Sequence, residues 1–230
     1  LTDVTLDGTG SAEMQYVLSN NSGEVNITGA TSIIAPDNAV AFDVYDYSSA
    51  GYTVPVVDVN TTGTITGKIE VSDSISTNLN ISGGTFTVEI QQAWCASGFI
   101  PKDNGDNTYG VKAGAYVAQV NEGKKYETLA EAGAAAKNGE TVKILRDITL
   151  DQAITVSDKS VTITADAAVT VTTEITDVFT VTSGGELTLG ENLTVSSNTS
   201  ILWANGGTID GSQLEVKLPS LSWNVIRLGK

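Results

Sequence analysis

Two Gly-Gly pairs, Gly184-Gly185 and Gly206-Gly207, align the segments FTVTSGGELTLGENLTV and ILWANGGTIDGSQLEV at an offset of 22 residues. Leu187 then matches Ile209, and Val195 matches Val216. One step back, ITVSDKSVTITADAAVTV sets Val161 against Leu187 and Val169 against Leu193, at offsets of 26 and 24. Each unit holds about three short strands parted by Gly, Asn, Asp or Ser turns, and a unit of roughly 20–26 residues makes one coil of a parallel β-helix. A chain built this way buries its apolar side chains only by stacking coil on coil. Val161, Ile163, Leu187, Leu189 and Ile209 are the expected inward ladder, and the drifting period marks loops of variable length between fixed strands.

The first half repeats less cleanly. Leu6-Asp7-Gly8, Ile27-Thr28-Gly29, Ile65-Thr66-Gly67 and Ile81-Ser82-Gly83 share an apolar-polar-glycine corner at offsets of 21, 38 and 16. The long offset accommodates an insertion around YDYSSAGY, Tyr45 to Tyr52. Irregular coils fit this spacing, and so does a β-sandwich. Asn104-Gly105 between Ile100 and Tyr109 signals a hairpin. That hairpin, at about 95–112 with Trp94 and Phe99 beside it, is expected to close a first module at 1–115, with a second module at 116–230.

One stretch breaks the β pattern. In YETLAEAGAAAKNGETVKIL, Thr128 and Glu131 form a capping-box pair, Leu129, Ala132, Gly133 and Ala136 recur at helical spacing, and Asn138-Gly139 supplies a stop. A helix near 128–138 is too short to stand alone in water, so it must dock. An open β-helix end exposes strand edges and an apolar bore. A small-residue helix just before a first strand at Thr141 to Leu145 is placed to plug the second module.

The run from Val120, VNEGKKYETLAEAGAAAKNGETVKILRDITLDQAITVSDKSVTI, resembles the opening segment of right-handed parallel β-helix repeats of the pectate-lyase-like superfamily in large surface proteins of gut bacteria. SGGTFTVEI with WCASGFIPKDNGDNTYGVK is similar to the segment that closes a module in the same proteins. The resemblance covers roughly residues 79–190. It implies an all-β, right-handed parallel β-helix and an exported, multi-module protein, secreted or on the bacterial cell surface, and it carries over no catalytic residues.

A net charge of −15 with no basic stripe excludes nucleic acid as a partner. No run is long and apolar enough for membrane insertion. The chain opens on Leu1 without a starting Met and reads as a mature or excised piece of a longer protein. With no histidine, the commonest general base and metal ligand are missing. A lyase resembling pectate lyases needs clustered acids for Ca²⁺ and an Arg or Lys base, but there are two arginines, Arg146 in an ordinary corner and Arg227 near the end. Asp103-Asn104-Gly105-Asp106-Asn107 lacks the order of a Ca²⁺ loop and reads as a turn. Cys95, the sole cysteine, reads as a buried small hydrophobe. No catalytic residue, metal or cofactor is assigned.

The positive candidates are Tyr45, Tyr47 and Tyr52 in the insertion, with Asp43 and Asp46 beside them. Exposed tyrosines next to carboxylates stack on and hydrogen-bond sugars or peptides; packing within a solvated loop accounts for the same residues. The expected function is a non-catalytic β-helical stalk or adhesin, binding a glycan or a surface protein and more often a monomer. A carbohydrate-active β-helix lyase or hydrolase is the alternative, and a phage or appendage fibre the third.

Overall fold

Short β-branched runs between turn residues set the architecture, and the computed structural model folds each run into a strand of two to six residues. The structure describes residues 1–11 and 13–211. Two compact units divide the chain, Leu1–Ala115 and Tyr116–Lys230. Each is built of stacked parallel coils, so the protein is an all-β parallel β-helix, with one short α-helix among the described residues.

In the first unit the coils run β1 (Thr5–Asp7), β2 (Tyr16–Asn20) and β3 (Glu24–Gly29), then β4 (Ser32–Ile34), β5 (Val40–Val44) and β6 (Val56–Thr61), then β7 (Thr64–Thr66), β8 (Lys68–Val71) and β9 (Leu79–Ile81). Each strand pairs in parallel with its counterpart one coil away, giving the sheets β1-β4-β7, β2-β5-β8 and β3-β6-β9. β10 (Thr85–Phe86) starts another turn on β7. The hairpin of β11 (Phe99–Asp103) and β12 (Tyr109–Ala113) then pairs antiparallel to β10, which ends the parallel stack. The four apolar-polar-glycine corners prove to be two different corners. Leu6 and Ile65 stack through Ile33 in one sheet, whereas Ile27 and Ile81 stack through Val59 in another. The hairpin and the insertion are where the sequence puts them: eleven residues join β5 to β6, against three between β2 and β3.

The second unit opens with β13 (Ala118–Val120), β14 (Lys125–Tyr126) and α1 (Leu129–Ala135). Coils follow: β15 (Glu140–Ile144), β16 (Ile148–Leu150) and β17 (Ile154–Ser157), then β18 (Ser160–Ala165), β19 (Val169–Thr173) and β20 (Phe179–Thr182), then β21 (Glu186–Leu189), β22 (Leu193–Ser197) and β23 (Leu202–Asn205), with β24 (Thr208–Gly211) beyond. Val161 lies opposite Leu187, Leu187 opposite Ile209 and Val169 opposite Leu193, the alignment the repeats give. Val161, Ile163, Leu187 and Leu189 are buried and Ile209 is partly buried. Val216 and Arg227 lie outside the described residues. The Gly-Gly signature has a geometric cause. Gly184 and Gly206 hold left-handed φ of 73° and 77°, while a Cβ on Gly207 would come within 2.6 Å of Val181 Cγ1 in the coil before.

Helix α1 caps this unit's first coil. Thr128 Oγ1 accepts from Glu131 N–H and Glu131 Oε2 accepts from Thr128 N–H, a complete capping box. Leu129, Ala132, Gly133 and Ala136 are buried as one face, and a Cβ on Gly133 would press Ile154 Cγ2 at 2.9 Å. The stop differs from expectation. The helix ends at Ala135 because Ala136 turns extended, and Gly139, with φ +80°, belongs to the turn into β15. The freed carbonyls are taken by a side chain from the next coil: Lys159 Nζ donates to Gly133 O, Ala134 O and Ala136 O at 2.9, 3.2 and 2.7 Å. Beside the helix, β13 pairs antiparallel with β15 and covers its edge, with β14 pairing outside it. Lys143 on β15 ties this ribbon to two coils, its ammonium 3.0 Å from Glu122 and 3.1 Å from Asp166.

Candidate functional site

The insertion leaves β5 directly after Val44, so β5 decides where its side chains go. Phe42 and Val44 belong to the core, and the period of two along a strand turns Asp43 to the other face. There an open groove of about 450 Å³ is lined by Tyr16, Asp43, Tyr45, Glu70, Gln91 and Trp94, with Val44, Ile69, Val71 and Ser72 completing it. Three sequence-distant segments meet: β2, β5 with the start of its loop, and β8 with the turn after it, walled by the segment at Gln91–Trp94.

Asp43 corrects a sequence expectation. It sits in a strand and not on a solvated loop, and it is only 8% exposed. Its Oδ1 is fully buried and has no hydrogen-bond partner among the described residues. Asp43 is also the register partner of Glu70 on β8 and of Ser19 on β2. An exposed carboxylate therefore stands one strand away from a buried one, an arrangement that like-charge repulsion disfavours unless something offsets it.

The tyrosines do converge. Ring centroids of Tyr45 and Tyr47 are 4.8 Å apart at an interplanar angle of 46°, and those of Tyr47 and Tyr52 are 6.4 Å apart at 70°. All three remain exposed. Only Tyr45 also lines the groove, so it joins the aromatic cluster to the acidic floor. Aromatic pairs in such geometries attract one another by about 0.5–1.5 kcal/mol beyond area burial, which fixes the cluster without hiding it.

Asp46 has a structural task. Its Oδ1 accepts from Ser48 N–H at 2.9 Å and its Oδ2 from Ser74 Oγ at 2.9 Å, pinning the loop to the turn after β8. The Ser48 hydroxyl and N–H, then the Ser74 hydroxyl, hold its carboxyl below the usual carboxylate range. A carboxyl lowered on folding stabilises the pinned loop above its unfolded value of about 3.9 and loses that contribution as pH falls through the lower folded value. Following the Ser48 amide by NMR through an acid titration is expected to give a midpoint below about 3.9, and Asp46→Asn removes the inflection. A midpoint at or above 3.9 contradicts the pin.

Other sequence candidates fall elsewhere. Asp103 Oδ1 accepts from Gly105 N–H, and Asp106 Oδ1 accepts from Thr108 N–H and Oγ1, so both carboxylates serve the hairpin turn. Cys95 is half-buried and not fully enclosed, and burial pushes its thiol up to about 11. Among the described residues no three of His, Cys, Asp and Glu converge as a metal site, and no helix is long and apolar enough to cross a membrane. Glu70, Tyr16, Gln91 and the groove role of Trp94 escape sequence reading. The only available signal was the spacing from Asp43 to Glu70, 27 residues, close to one coil.

Comparison with protein-family models, with curated proteins and with solved structures yields no match.

Proposed function

We propose that the chain is part of an exported bacterial surface protein of the pectate-lyase-like β-helix kind, a non-catalytic stalk or adhesin module whose first unit binds a glycan. The observation that carries this reading is Tyr45, whose ring belongs both to an exposed trio of tyrosines and to a groove floored by a buried, unpartnered carboxylate. Flat aromatic faces stack on sugar rings, and carboxylates accept from sugar hydroxyls. The chain's strong negative charge disfavours acidic polysaccharides as ligands.

The test is a glycan array probed with the chain and with Tyr45→Ala. Discrete glycan signals that fall about tenfold or more in the variant are expected, the size of one lost stacking anchor. A blank array, or signals indifferent to Tyr45, overturns the reading. One observation favours a second reading: Asp43 and Glu70 are register partners on neighbouring strands, and glycoside hydrolases work with two carboxylates across the scissile bond. Release of reducing sugar from any array hit, abolished by Glu70→Gln, would put a hydrolase in place of the adhesin.

A further inference from the structure

We propose that the groove selects a primary ammonium group carried on a sugar ring, so that its ligand is a cationic glycan containing de-N-acetylated amino sugar. This rests on the groove being the glycan site proposed above. It goes further by naming the group that the groove recognises.

The chemistry of the lining points there. Asp43 is more than nine-tenths buried and its Oδ1 has no hydrogen-bond partner among the described residues. Buried polar atoms without partners are rare in folded proteins because each forfeits its hydration for nothing. Asp43 lines the groove, and its χ2 torsion is soft, so a modest rotation presents the unpaired oxygen to a donor seated there. Glu70 lies beside it in register and lines the same groove. No Lys or Arg is among the lining residues; Lys68, two residues before Glu70 on the same face of β8, is not one of them. Two carboxylates in a lining that holds no basic residue favour a cationic group on the ligand.

Aromatic walls sharpen this. Tyr16, Tyr45 and Trp94 line the groove, and an aromatic ring offers a cation the negative quadrupole of its face, Trp most strongly. A metal ion fits poorly: Ca²⁺ seeks six to eight oxygen ligands, and no three acidic, His or Cys groups converge among the described residues. A quaternary ammonium has no N–H for the orphan oxygen. A neutral sugar hydroxyl can donate but brings no charge to the carboxylates. A primary ammonium brings three donors and a full charge, and bonds of that kind are roughly twice as strong as neutral ones. A lysine side chain carries the same group on a flexible stem that loses rotamer freedom on binding, whereas a pyranose holds it rigidly and offers a face to the tyrosines.

Calorimetry at low salt on the full chain tests this with three probes: a glucosamine hexamer, its fully N-acetylated counterpart, and a trilysine peptide. The glucosamine hexamer is expected to bind at least about tenfold more tightly than the acetylated one, the change that a single charge-assisted contact can make. Asp43→Asn should erase that preference, and the exposed Glu70→Gln should reduce it, which keeps the test decisive if the buried variant folds poorly. Tighter binding of the acetylated hexamer, equal binding of the two, or a preference that survives both substitutions overturns the ammonium assignment. Trilysine binding more tightly than the glucosamine hexamer overturns the sugar. If the hexamers fail while the array gives other glycan hits, this proposal falls and glycan binding stands; a blank array removes both.

Discussion

Ala132→Glu is expected to cost the second unit about 3–5 kcal/mol and to strip protection from its first coil. Ala132 is fully buried on the face of α1 that packs over Ile154 of β17. A glutamate there must either carry its charge into an apolar bore without a partner or lever the helix away. Leverage also pulls the carbonyls of Gly133, Ala134 and Ala136 off Lys159, so two sets of interactions go together. Hydrogen exchange is the measurement. Amides of β15 and β17 should exchange faster while those of the first unit keep their protection, and light scattering should rise as the opened end associates. Glu131→Gln, on the exposed side, is the control and touches only the capping box, for about 1 kcal/mol or less. Unchanged melting and protection in Ala132→Glu would mean that α1 is not a lid.

Phe42→Ala is expected to destabilise the first unit by about 3–5 kcal/mol. Phe42 is fully buried, is stacked between Leu18 and Ile69 of the neighbouring coils, and follows the register irregularity between Val40 and Phe42. Stacked coils cannot close over a missing ring without moving their own hydrogen-bonded ladders, so the void persists. The loss should reach the groove as well, because Asp43, Val44 and Tyr45 follow on the same stretch of chain. Urea unfolding measures the first effect and glycan binding the second. A stability loss below about 1 kcal/mol would show that the coil repacks freely.

The second unit was legible to the level of strand register because its glycine pairs occupy the same corner in successive coils, and a one-residue error would have turned Leu187 and Ile209 out of the core. The first unit was legible only as a class of fold. Its coils differ in length, with Leu6 to Ile33 and Ile33 to Ile65 spanning 27 and 32 residues, so matching by glycine corners joined positions from different sheets. The helix was legible from its capping box, but the partner of its last carbonyls was not: Lys159 lies 23 positions beyond Ala136 and no local signal connects it to them. The tyrosines were visible in the sequence because a cluster close in sequence needs no tertiary knowledge. The burial of Asp43 was not legible, because it depends on a sheet and a groove whose other residues, Tyr16 and Trp94 among them, lie far from it in sequence. Glu70 was missed because only the coil-to-coil register, 27 residues away, sets it beside Asp43.

The lid on the second unit also bears on what that unit needs from its neighbours. Bare coils must keep whatever sequence stacks in front of them, because the next strand's register and apolar ladder depend on it. At its head, the unit that begins at Tyr116 carries a helix and an antiparallel ribbon that already occupy the first coil's bore and one of its edges. A unit whose first coil is already covered does not need a neighbour's strands to complete its stack.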